Sequence, residues 1–464
     1  MRRNIILFDL DGTLTDSGPG IMKAGQYALH AFGIERDWRE LSFFVGPPLS
    51  ETFAHFVSAE NVDAAVAKFR EYYQQDGWLD NAPYPGIPAL LAHLKSEGKR
   101  LFVATSKLDT MAERILEHFG LAPYFDAICG APEGDKEAGK KVGVITSVSL
   151  DHATPAAYYA KAPSRKQYYD IAVQGLTGTT LDYLGGGSFL KPDGDGTQEN
   201  LFELAAENGW TLANTNEAIR ALNADSGRVL AIDPNIADSE ALNYEIDRVR
   251  KEEAGEDILA LADYVKAGID VLDNENGFFM MCEGGKIDWS GHANDAATSI
   301  HETIAFSDAV QVAIDFAKEH ADETLIIVTA DHETGGMTIG FATTAYDTHF
   351  NYLTSQKISF TDFDAVIADL REKNAAFEDA LEAVKTYYGL TTEADQPLSL
   401  TEADVQALKA AFELSMTAKD ARKENAEDAL LYGGYEPFSM AVSHIMNNKA
   451  GLSYTSYAHT GLQI

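Results

Sequence analysis

The sequence contains little cysteine and no long apolar run. Only two cysteines, Cys129 and Cys282, occur in 464 residues, and they lie far apart, which excludes a disulfide framework or a cysteine-rich metal site. No apolar run approaches the ~20 residues of a membrane-spanning helix. The run near the N-terminus is too short for a secretory signal and leads directly into acidic residues. We therefore expect a soluble, cytoplasmic protein with no membrane partner.

Basic residues are also scarce, because 36 Lys and Arg face 72 Asp and Glu, for a net charge of -36. Such a surface repels nucleic acid and anionic membranes, so we expect neither as a partner. It would also repel a phosphate ester unless bound cations reverse the charge locally. The alternative is that the acidity only keeps the protein soluble. The chain length indicates two or three domains.

The N-terminal part, residues 1–130, has the pattern of an α/β domain with a mostly parallel sheet and flanking helices. The runs "NIILF", "RLFVAT" and "FDAIC" predict buried strands, with a helical cap at about residues 16–80. Asp9 and Asp11 follow the first run and are two residues apart, so both carboxylates point to one side. Ligands of open α/β sheets bind at the carboxyl ends of the strands. A solvated turn is the alternative interpretation of this pair.

The phrase "LFDLDGTLTDS", together with "FVGPPL", "YPGI" and "VATSK", resembles the haloacid dehalogenase-like hydrolases, in particular their phosphoglycolate phosphatase-like branch. The resemblance implies that Asp9 is a nucleophile, that Asp11 is a general acid/base, and that Thr105 binds the phosphoryl group, with Mg2+ as cofactor. It also implies a lysine, and three are candidates: Lys136, Lys140 and Lys141. The acidic "GDxxxD" motif that such proteins carry on a further strand is not found after Gly130.

The C-terminal part, residues 137–464, predicts a second α/β domain with a mostly parallel sheet. The runs "KVGVITS", "GFFMMCE" and "TLIIVTA" predict buried strands, and helical patterns lie between them. The glycine-rich "LDYLGGGSFLKPDGDG" lacks the context of a nucleotide-binding loop, and we interpret it as a surface turn. Residues 359–431 predict a helical insertion, which is either a packing layer or a cover for an active site.

Metal-ligating side chains recur in this second part. Asp288 and His292 are four residues apart, so on a helix they share a face and can hold one ion. Similar side chains lie beside the predicted strands or near the C-terminus: Glu283, Asp331 with His332, His152 with Thr154, and His459. Each pair alone could be a surface ion pair or a cap. Their repetition in one chain favours a metal site of imidazole and carboxylate ligands.

The phrases "TSVSLDHATPAA", "MMCEGGKIDWSGHAND" and "VTADHETGG" resemble alkaline phosphatase, and the resemblance continues to the end of the chain. It implies two Zn2+ ions and one Mg2+ ion, and it allows a homodimer. The implied ligands are Asp288, His292 and His459 for one zinc, Asp331 and His332 for the other, and His152, Thr154 and Glu283 for magnesium. Arg165 would bind the phosphate. The strand ending in "GDG" and the serine-bearing segment that such proteins carry before this point are not found.

Three interpretations stay open. The first is a phosphate monoester hydrolase with an alkaline phosphatase-like zinc and magnesium site, acting on a small phosphate ester. The second is a haloacid dehalogenase-type phosphatase that acts through an aspartyl-phosphate on Asp9. The third is a composite that binds metal and phosphate without turnover, because its nucleophile and its metal ligands do not share a site.

Overall fold

The computed structural model describes residues 5–45, 49–58, 61–131, 140–178, 180–321, 323–418, 421–422 and 425–461. The chain divides into two compact units, Met1–Ala138 and Gly139–Ile464, called unit 1 and unit 2 below. Within the described ranges, every helix is too short or too polar to cross a bilayer. Lys136, one of the three candidate lysines, lies outside the described residues.

Unit 1 contains a three-stranded parallel sheet in the order β1-β2-β3, with β2 in the centre. Its strands are β1 (Ile5–Phe8), β2 (Arg100–Leu108) and β3 (Ala127–Ala131). Its helices are α1 (Gly18–Ala31), α2 (Leu49–Ala54), α3 (Val62–Gln75), α4 (Ile87–Ser96) and α5 (Asp109–His118). The order of these elements and the parallel pairing confirm the α/β class for this part of the chain.

Strand β1 is less buried than its apolar sequence predicts. The side chains of Ile5 and Leu7 are 52% and 43% exposed, whereas Ile6 and Phe8 pack against the unit 1 core. Successive side chains of a strand point to opposite faces of a sheet, so one face of β1 is covered and the other is open. The prediction of a strand buried on both faces is therefore wrong at this position.

Unit 2 contains a five-stranded, entirely parallel sheet in the order β6-β7-β5-β4-β8. Its strands are β4 (Lys141–Thr146), β5 (Tyr183–Gly186), β6 (Trp210–Ala213), β7 (Arg228–Ile232) and β8 (Phe278–Glu283). Two antiparallel ribbons pair β9 (Glu333–Thr334) with β12 (His459–Thr460), and β10 (Thr338–Ile339) with β11 (Leu452–Ser453). This arrangement confirms a second, mostly parallel α/β fold.

The helices of unit 2 flank this sheet or form a separate helical layer. They are α6 (Ala153–Ala156), α7 (Tyr168–Thr177), α8 (Leu201–Glu207), α9 (Asn216–Arg220), α10 (Glu245–Glu253), α11 (Leu261–Leu272), α12 (Lys286–His292), α13 (Ala296–Glu319), α14 (Phe360–Glu372), α15 (Phe377–Tyr388), α16 (Glu402–Ser415), α17 (Ala426–Tyr432) and α18 (Pro437–Ala450). Helices α14 to α18 share one core, in which Phe363, Phe412 and Phe438 pack together. Residues 359–431 thus include a helical packing layer.

The glycine-rich run that we interpreted as a surface turn contains a central strand instead. Strand β5 is fully buried and pairs with β4 and β7. A Cβ atom at Gly186 would lie 1.9 Å from the carbonyl oxygen of Thr146, and the residue has a φ of +136°. The glycine is needed because two backbones approach closely at this point, which a single sequence does not reveal.

The run "TLIIVTA", residues 324–330, is not a buried strand. It is assigned to no strand, and the side chains of Leu325, Ile327 and Val328 are 65%, 56% and 59% exposed. Among the residues that the structure describes, strand β8 pairs only with β4 and so lies at an edge of the sheet. The prediction fails because an apolar run becomes a buried strand only where a neighbouring strand is present to pair with it.

Candidate metal centre

Helix α12 places Asp288 and His292 on one face, as their spacing predicts. His292 Nε2 lies 3.4 Å from Asp288 Oδ1. The other ring nitrogen, Nδ1, lies 2.7 Å from the carbonyl oxygen of Tyr457. A carbonyl oxygen only accepts hydrogen bonds, so Nδ1 carries the proton. This fixes the orientation of the ring and turns Nε2 toward Asp288.

The β9–β12 ribbon brings two further imidazoles to the same place. The rings of His332 and His459 stack with their centroids 3.5 Å apart, and His459 Nε2 lies 3.5 Å from Asp288 Oδ1. Asp288, His332 and His459 each offer one ligand atom, and these atoms all lie within 4.8 Å of one another. Nitrogen and carboxylate oxygen are the donors that zinc takes in proteins.

The structure groups these side chains differently from the ligand sets that the resemblance implied. His332 lies with Asp288 and His459, whereas the expected sets separated His332 from both of them. The ring of His292 is 5.0 Å from that of His459. Asp331 is exposed, with Oδ2 3.4 Å from His332 Nε2. All five residues therefore surround one region, and the division of the ligands between two ions stays a prediction.

A second set of donors lies at the ends of β4 and β8. Thr146 Oγ1 donates a hydrogen bond to Glu283 Oε2 at 2.6 Å, and the Thr154 hydroxyl also bonds to this carboxylate. Burial raises the pKa of the Glu283 carboxyl, the two hydroxyls counteract that effect, and the charges of Asp331 and Asp288 add to it. Those charges act on Glu283 only because the two sets of donors are close together.

His152 bonds to Arg165 in this structure. Arg165 Nη2 lies 3.0 Å from His152 Nε2, and the Trp289 ring packs against the imidazole at a centroid distance of 5.5 Å. Burial, assisted by the Arg165 charge, lowers the pKa of His152 to about 4. The imidazole is therefore neutral and Nε2 can accept the Arg165 hydrogen bond. Among the described residues no hydrogen bond joins His152 to Glu283 or Thr154, the two residues expected to share its ion.

Two residues of the centre were not anticipated from the sequence. Thr146 is the last residue of β4 and lies opposite Glu283 in the β4–β8 register. Thr334 Oγ1 donates to Asp288 Oδ1 at 2.5 Å and lies 3.3 Å from His332 Nδ1. The position of Thr334 in "ADHETGG", two residues after His332, was the available signal. Thr146 had no such signal, because its role depends on which strand pairs with β4.

The candidate site of unit 1 follows β1 and β2. Asp9 is exposed just after β1, and Thr105 lies on β2. Lys107 Nζ lies 3.1 Å from Asp11 Oδ2 and donates to the Tyr73 hydroxyl at 2.8 Å. Burial opposes the charge of Lys107, but Tyr73 and Asp11 outweigh burial and raise the pKa of the ammonium group.

The lysine beside Asp11 is therefore not one of the three candidates. Lys107 belongs to the quoted phrase "VATSK" but was not considered for this role. Lys140 and Lys141 belong to unit 2, and Lys141 Nζ donates to the carbonyl oxygen of Val271. Sequence order alone placed the lysine after the third strand, whereas Lys107 lies on β2, the strand that pairs directly with β1.

Two protein family models match the chain, and they meet near the boundary between unit 1 and unit 2. The model for alkaline phosphatase matches residues 130–421. The chain belongs to the alkaline phosphatase family. The model for haloacid dehalogenase-like hydrolases matches residues 6–141. Both resemblances noted in the sequence are thereby confirmed.

Individual relatives match one part or the other. Alkaline phosphatase 3 of Bacillus subtilis is 30% identical over 345 residues, which cover 71% of this chain and 63% of that protein. The tyrosine-protein kinase PtkA of Mycobacterium tuberculosis is 42% identical over 142 residues, covering 30% of this chain and 48% of PtkA. A crystal structure of a cold-active alkaline phosphatase from Shewanella sp. has a TM-score of 0.54 at 25% identity, covering 70% of this chain and 69% of that one. The chain spans less than two thirds of either curated relative.

Proposed function

We propose that unit 2 is a metal-dependent phosphate monoester hydrolase. The observation that carries this proposal is the convergence of Asp288, His332 and His459 within 4.8 Å, next to Glu283. At neutral pH the carboxylates give the centre a negative charge, which would repel a phosphate ester. Divalent cations bound at the centre would reverse that charge locally.

The donor chemistry fits two kinds of ion. The imidazole-rich set (Asp288, His292, Asp331, His332 and His459) suits Zn2+, and the oxygen-rich set around Glu283 and Thr154 suits Mg2+. When bound, these ions supply positive charge that neutralises the phosphoryl oxygens during transfer. Both assignments are part of the proposal.

The protein's own residues position the ligands and the substrate. The Tyr457 carbonyl orients the His292 ring, and Thr334 and Thr146 hold the carboxylates of Asp288 and Glu283 by hydrogen bonds. Ordered outer-shell partners of this kind keep ligands in a fixed geometry. Arg165 is exposed and carries a planar set of N–H donors, which suits bidentate binding of a phosphate. We therefore expect a small phosphate ester that reaches the centre from solvent.

The test is hydrolysis of p-nitrophenyl phosphate by the full chain, with Zn2+ and Mg2+ present or with EDTA. We expect activity only with metal, and loss of that activity to background in Asp288→Asn and His332→Ala. His349→Ala is the matched control, because His349 stacks on Tyr352 outside the centre, and it should retain activity within about twofold, as surface substitutions usually do. Turnover that survives EDTA, or zinc-stimulated turnover that survives Asp288→Asn, would rule the proposal out.

Elemental analysis of the same samples distinguishes hydrolysis from binding alone. A protein that retains zinc after desalting yet hydrolyses nothing would support the composite interpretation, in which metal and phosphate bind without turnover. Loss of that zinc in His332→Ala would locate it at the centre. A protein that retains no zinc would contradict both interpretations of unit 2.

A second candidate function belongs to unit 1, and the Lys107–Asp11 contact favours it. Asp9 would act as the nucleophile toward a phosphate ester with Mg2+ as cofactor, Asp11 would exchange the proton, and Lys107 would hold Asp11 in place. Magnesium-dependent hydrolysis near neutral pH should then disappear in Asp9→Asn and persist in His332→Ala. The opposite pattern would remove this candidate and leave the zinc centre as the active one.

A further inference from the structure

A cavity adjoins the candidate metal centre of unit 2. Its volume is about 210 Å³, and His292 and Trp289 of α12 form part of its wall. Trp289 packs against His152, which bonds to Arg165, the residue that we expect to bind phosphate. An ester whose phosphoryl group lies at the centre would therefore have the cavity within reach of its alcohol part.

Aromatic side chains form much of the wall of this cavity. Tyr244, Phe360 and Tyr435 line it together with Trp289. The rings of Phe360 and Tyr435 have centroids 5.9 Å apart and planes inclined at 87°. The rings of Tyr244 and Phe360 are 5.6 Å apart and inclined at 60°. Rings at such angles form a corner, which suits a compact group better than a flat one.

One of these rings already contacts a cation of the protein. The ammonium group of the buried Lys286 lies 3.5 Å from the Tyr244 ring centroid and donates a hydrogen bond to the Leu242 carbonyl oxygen. The charge of the buried Glu302 acts on this ammonium group and balances it. Because the face of an aromatic ring attracts positive charge, the wall of the cavity can stabilise a cation away from water.

The carboxylates that line the cavity are paired with cations, with one exception. Asp247 and Asp362 lie 3.5 Å and 2.6 Å from Arg250 Nη2, and Asp362 is also 4.0 Å from Lys251 Nζ. Asp238 is exposed, and its hydrogen-bond partner among the described residues is the hydroxyl group of the next residue. One negative charge therefore remains at the cavity, which favours a ligand group with a single positive charge.

We propose, on the basis of the function proposed for unit 2, that this cavity binds the quaternary ammonium group of a choline-type phosphate ester. The methyl groups would contact the aromatic rings, and the positive charge would lie near the ring faces and Asp238. The cavity is smaller than the ~300–1,000 Å³ pockets that take drug-sized ligands, so it suits a head group and not a nucleoside.

Hydrolysis of such an ester requires only water as the second reactant. The bond between phosphorus and the choline oxygen breaks, water supplies the new oxygen of the phosphate, and a proton of that water goes to the choline oxygen. The products are choline and inorganic phosphate. The ammonium group does not react, so its role is to hold the alcohol part while the phosphoryl group lies at the metal centre.

The kinetic test compares phosphocholine with 3,3-dimethylbutyl phosphate, which has the same shape but carbon in place of the charged nitrogen. With the full chain, Zn2+ and Mg2+, we expect kcat/KM to be at least ~10-fold higher for phosphocholine. Hydrolysis of p-nitrophenyl phosphate in the same buffer reports the proposed function separately. Equal kcat/KM for the two alkyl phosphates in an enzyme that hydrolyses p-nitrophenyl phosphate would overturn the assignment of the cavity alone.

Two variants locate the preference in the cavity. Tyr435→Leu removes an aromatic wall and should lower kcat/KM for phosphocholine by at least ~5-fold. Asp238→Asn removes the unbalanced charge and should lower it by about 3-fold. Both should change the neutral ester by less than about twofold. The matched controls are Tyr346→Leu and Asp225→Asn, which alter exposed residues outside the cavity and should leave both esters within about twofold.

Losses of equal size for the charged and the neutral ester would overturn the assignment, because they would show that Tyr435 and Asp238 only support the fold or the centre. Thermal melting checks that each variant is folded. The comparison of the two esters on the unaltered protein still decides if Tyr435→Leu does not fold.

A binding measurement decides without any turnover. Isothermal titration calorimetry of the full chain should show saturable binding of choline, and 3,3-dimethylbutan-1-ol should bind at least ~10-fold more weakly. Choline binding that Tyr435→Leu weakens, in a protein that hydrolyses no ester, would support the cavity as a site for the head group and contradict the proposed function. Choline that binds no more tightly than the neutral alcohol would overturn the inference.

Discussion

The candidate sites of unit 1 and unit 2 differ in the groups that lie beside their carboxylates. In unit 1, Asp11 lies 3.1 Å from the ammonium group of Lys107, so the protein itself provides the balancing charge. In unit 2, Asp288, Asp331 and Glu283 lie among imidazoles, and Arg165 is paired with the neutral His152. The comparison shows that the Asp11 carboxylate is paired with a cation of the protein, whereas the carboxylates of the unit 2 site have imidazoles and hydroxyls as their described partners.

The largest expected effect is on zinc binding. His332→Ala removes one of the three ligand atoms that converge within 4.8 Å, and we expect zinc affinity to fall by at least ~100-fold, since even outer-shell partners typically contribute 10–100-fold. Competition with a chromophoric zinc chelator measures it. Asp9→Asn should leave the affinity unchanged. If both variants bind zinc as tightly as the unaltered chain does, the contrast between the units is wrong.

The next effect is a pH dependence that belongs to unit 2. Asp151 is buried and accepts a hydrogen bond from the Leu190 N–H at 3.0 Å, and burial raises the pKa of its carboxyl from the ordinary 3.8 to about 6. The folded state therefore binds the proton more tightly than the unfolded state. The contribution of Asp151 to the free energy of unfolding should be largest below about pH 4. It should fall by up to ~3 kcal/mol as the pH rises through 6.

Urea denaturation of unit 2 at several pH values measures this dependence. Asp151→Asn keeps an oxygen for the Leu190 N–H but cannot ionise, so the variant should lose the decline between pH 4 and 6. A decline of the same size in the variant would assign the effect to other buried acids, such as Asp247, whose pKa burial also raises to about 6.

A smaller effect should separate the two sets of donors within unit 2. Thr334→Val removes the hydrogen bond to Asp288, and Thr146→Val removes the one to Glu283, with little change in shape. We expect the first to weaken Zn2+ binding and the second to weaken Mg2+ binding, each by roughly 10-fold. Titration of each of the two variants with each of the two ions gives the four affinities to compare. Equal losses of both ions in both variants would mean that the sets form one indivisible site.

The smallest effect concerns the balanced charge pair of unit 1. Lys107→Met leaves Asp11 without its partner, and we expect the free energy of unfolding to fall by about 1–2 kcal/mol. The loss stays this small because the Asp11 carboxylate keeps some contact with solvent. Lys68→Met is the control, since Lys68 pairs with Glu71 on the surface, and exposed ion pairs contribute little. Hydrogen exchange in β1 and β2 measures the loss. A similar change in both variants would show that the Lys107 contact is not special.

Local pattern predicted some parts of this molecule well. The four-residue spacing of Asp288 and His292 requires only a helix, and α12 supplies it. The phrases around His152, Glu283 and His332 were sufficient to identify the alkaline phosphatase family, and "LFDLDGT" indicated the other one. In each case the information lies within a few consecutive residues.

The failed predictions share a physical cause. Pairing between two distant segments depends on both of them, so neither segment alone predicts it. The run "TLIIVTA" is apolar enough for a buried strand but has no strand partner among the described residues, and Gly186 of β5 is explained only by the backbone of Thr146 beside it. Lys107 and Thr146 were missed for the same reason. Their roles come from the strand order, which places them beside Asp11 and Glu283.

Trp289 adjoins the centre on two sides, since it follows Asp288 directly and packs against His152. The indole ring is sensitive to the charge and rigidity of its surroundings, whereas Trp38 and Trp78 belong to unit 1 and Trp210 lies under Arg228. Arrival of a cation should therefore change the emission of one of four tryptophans. Loading of the centre can be followed optically on the unlabelled protein, before any turnover is measured.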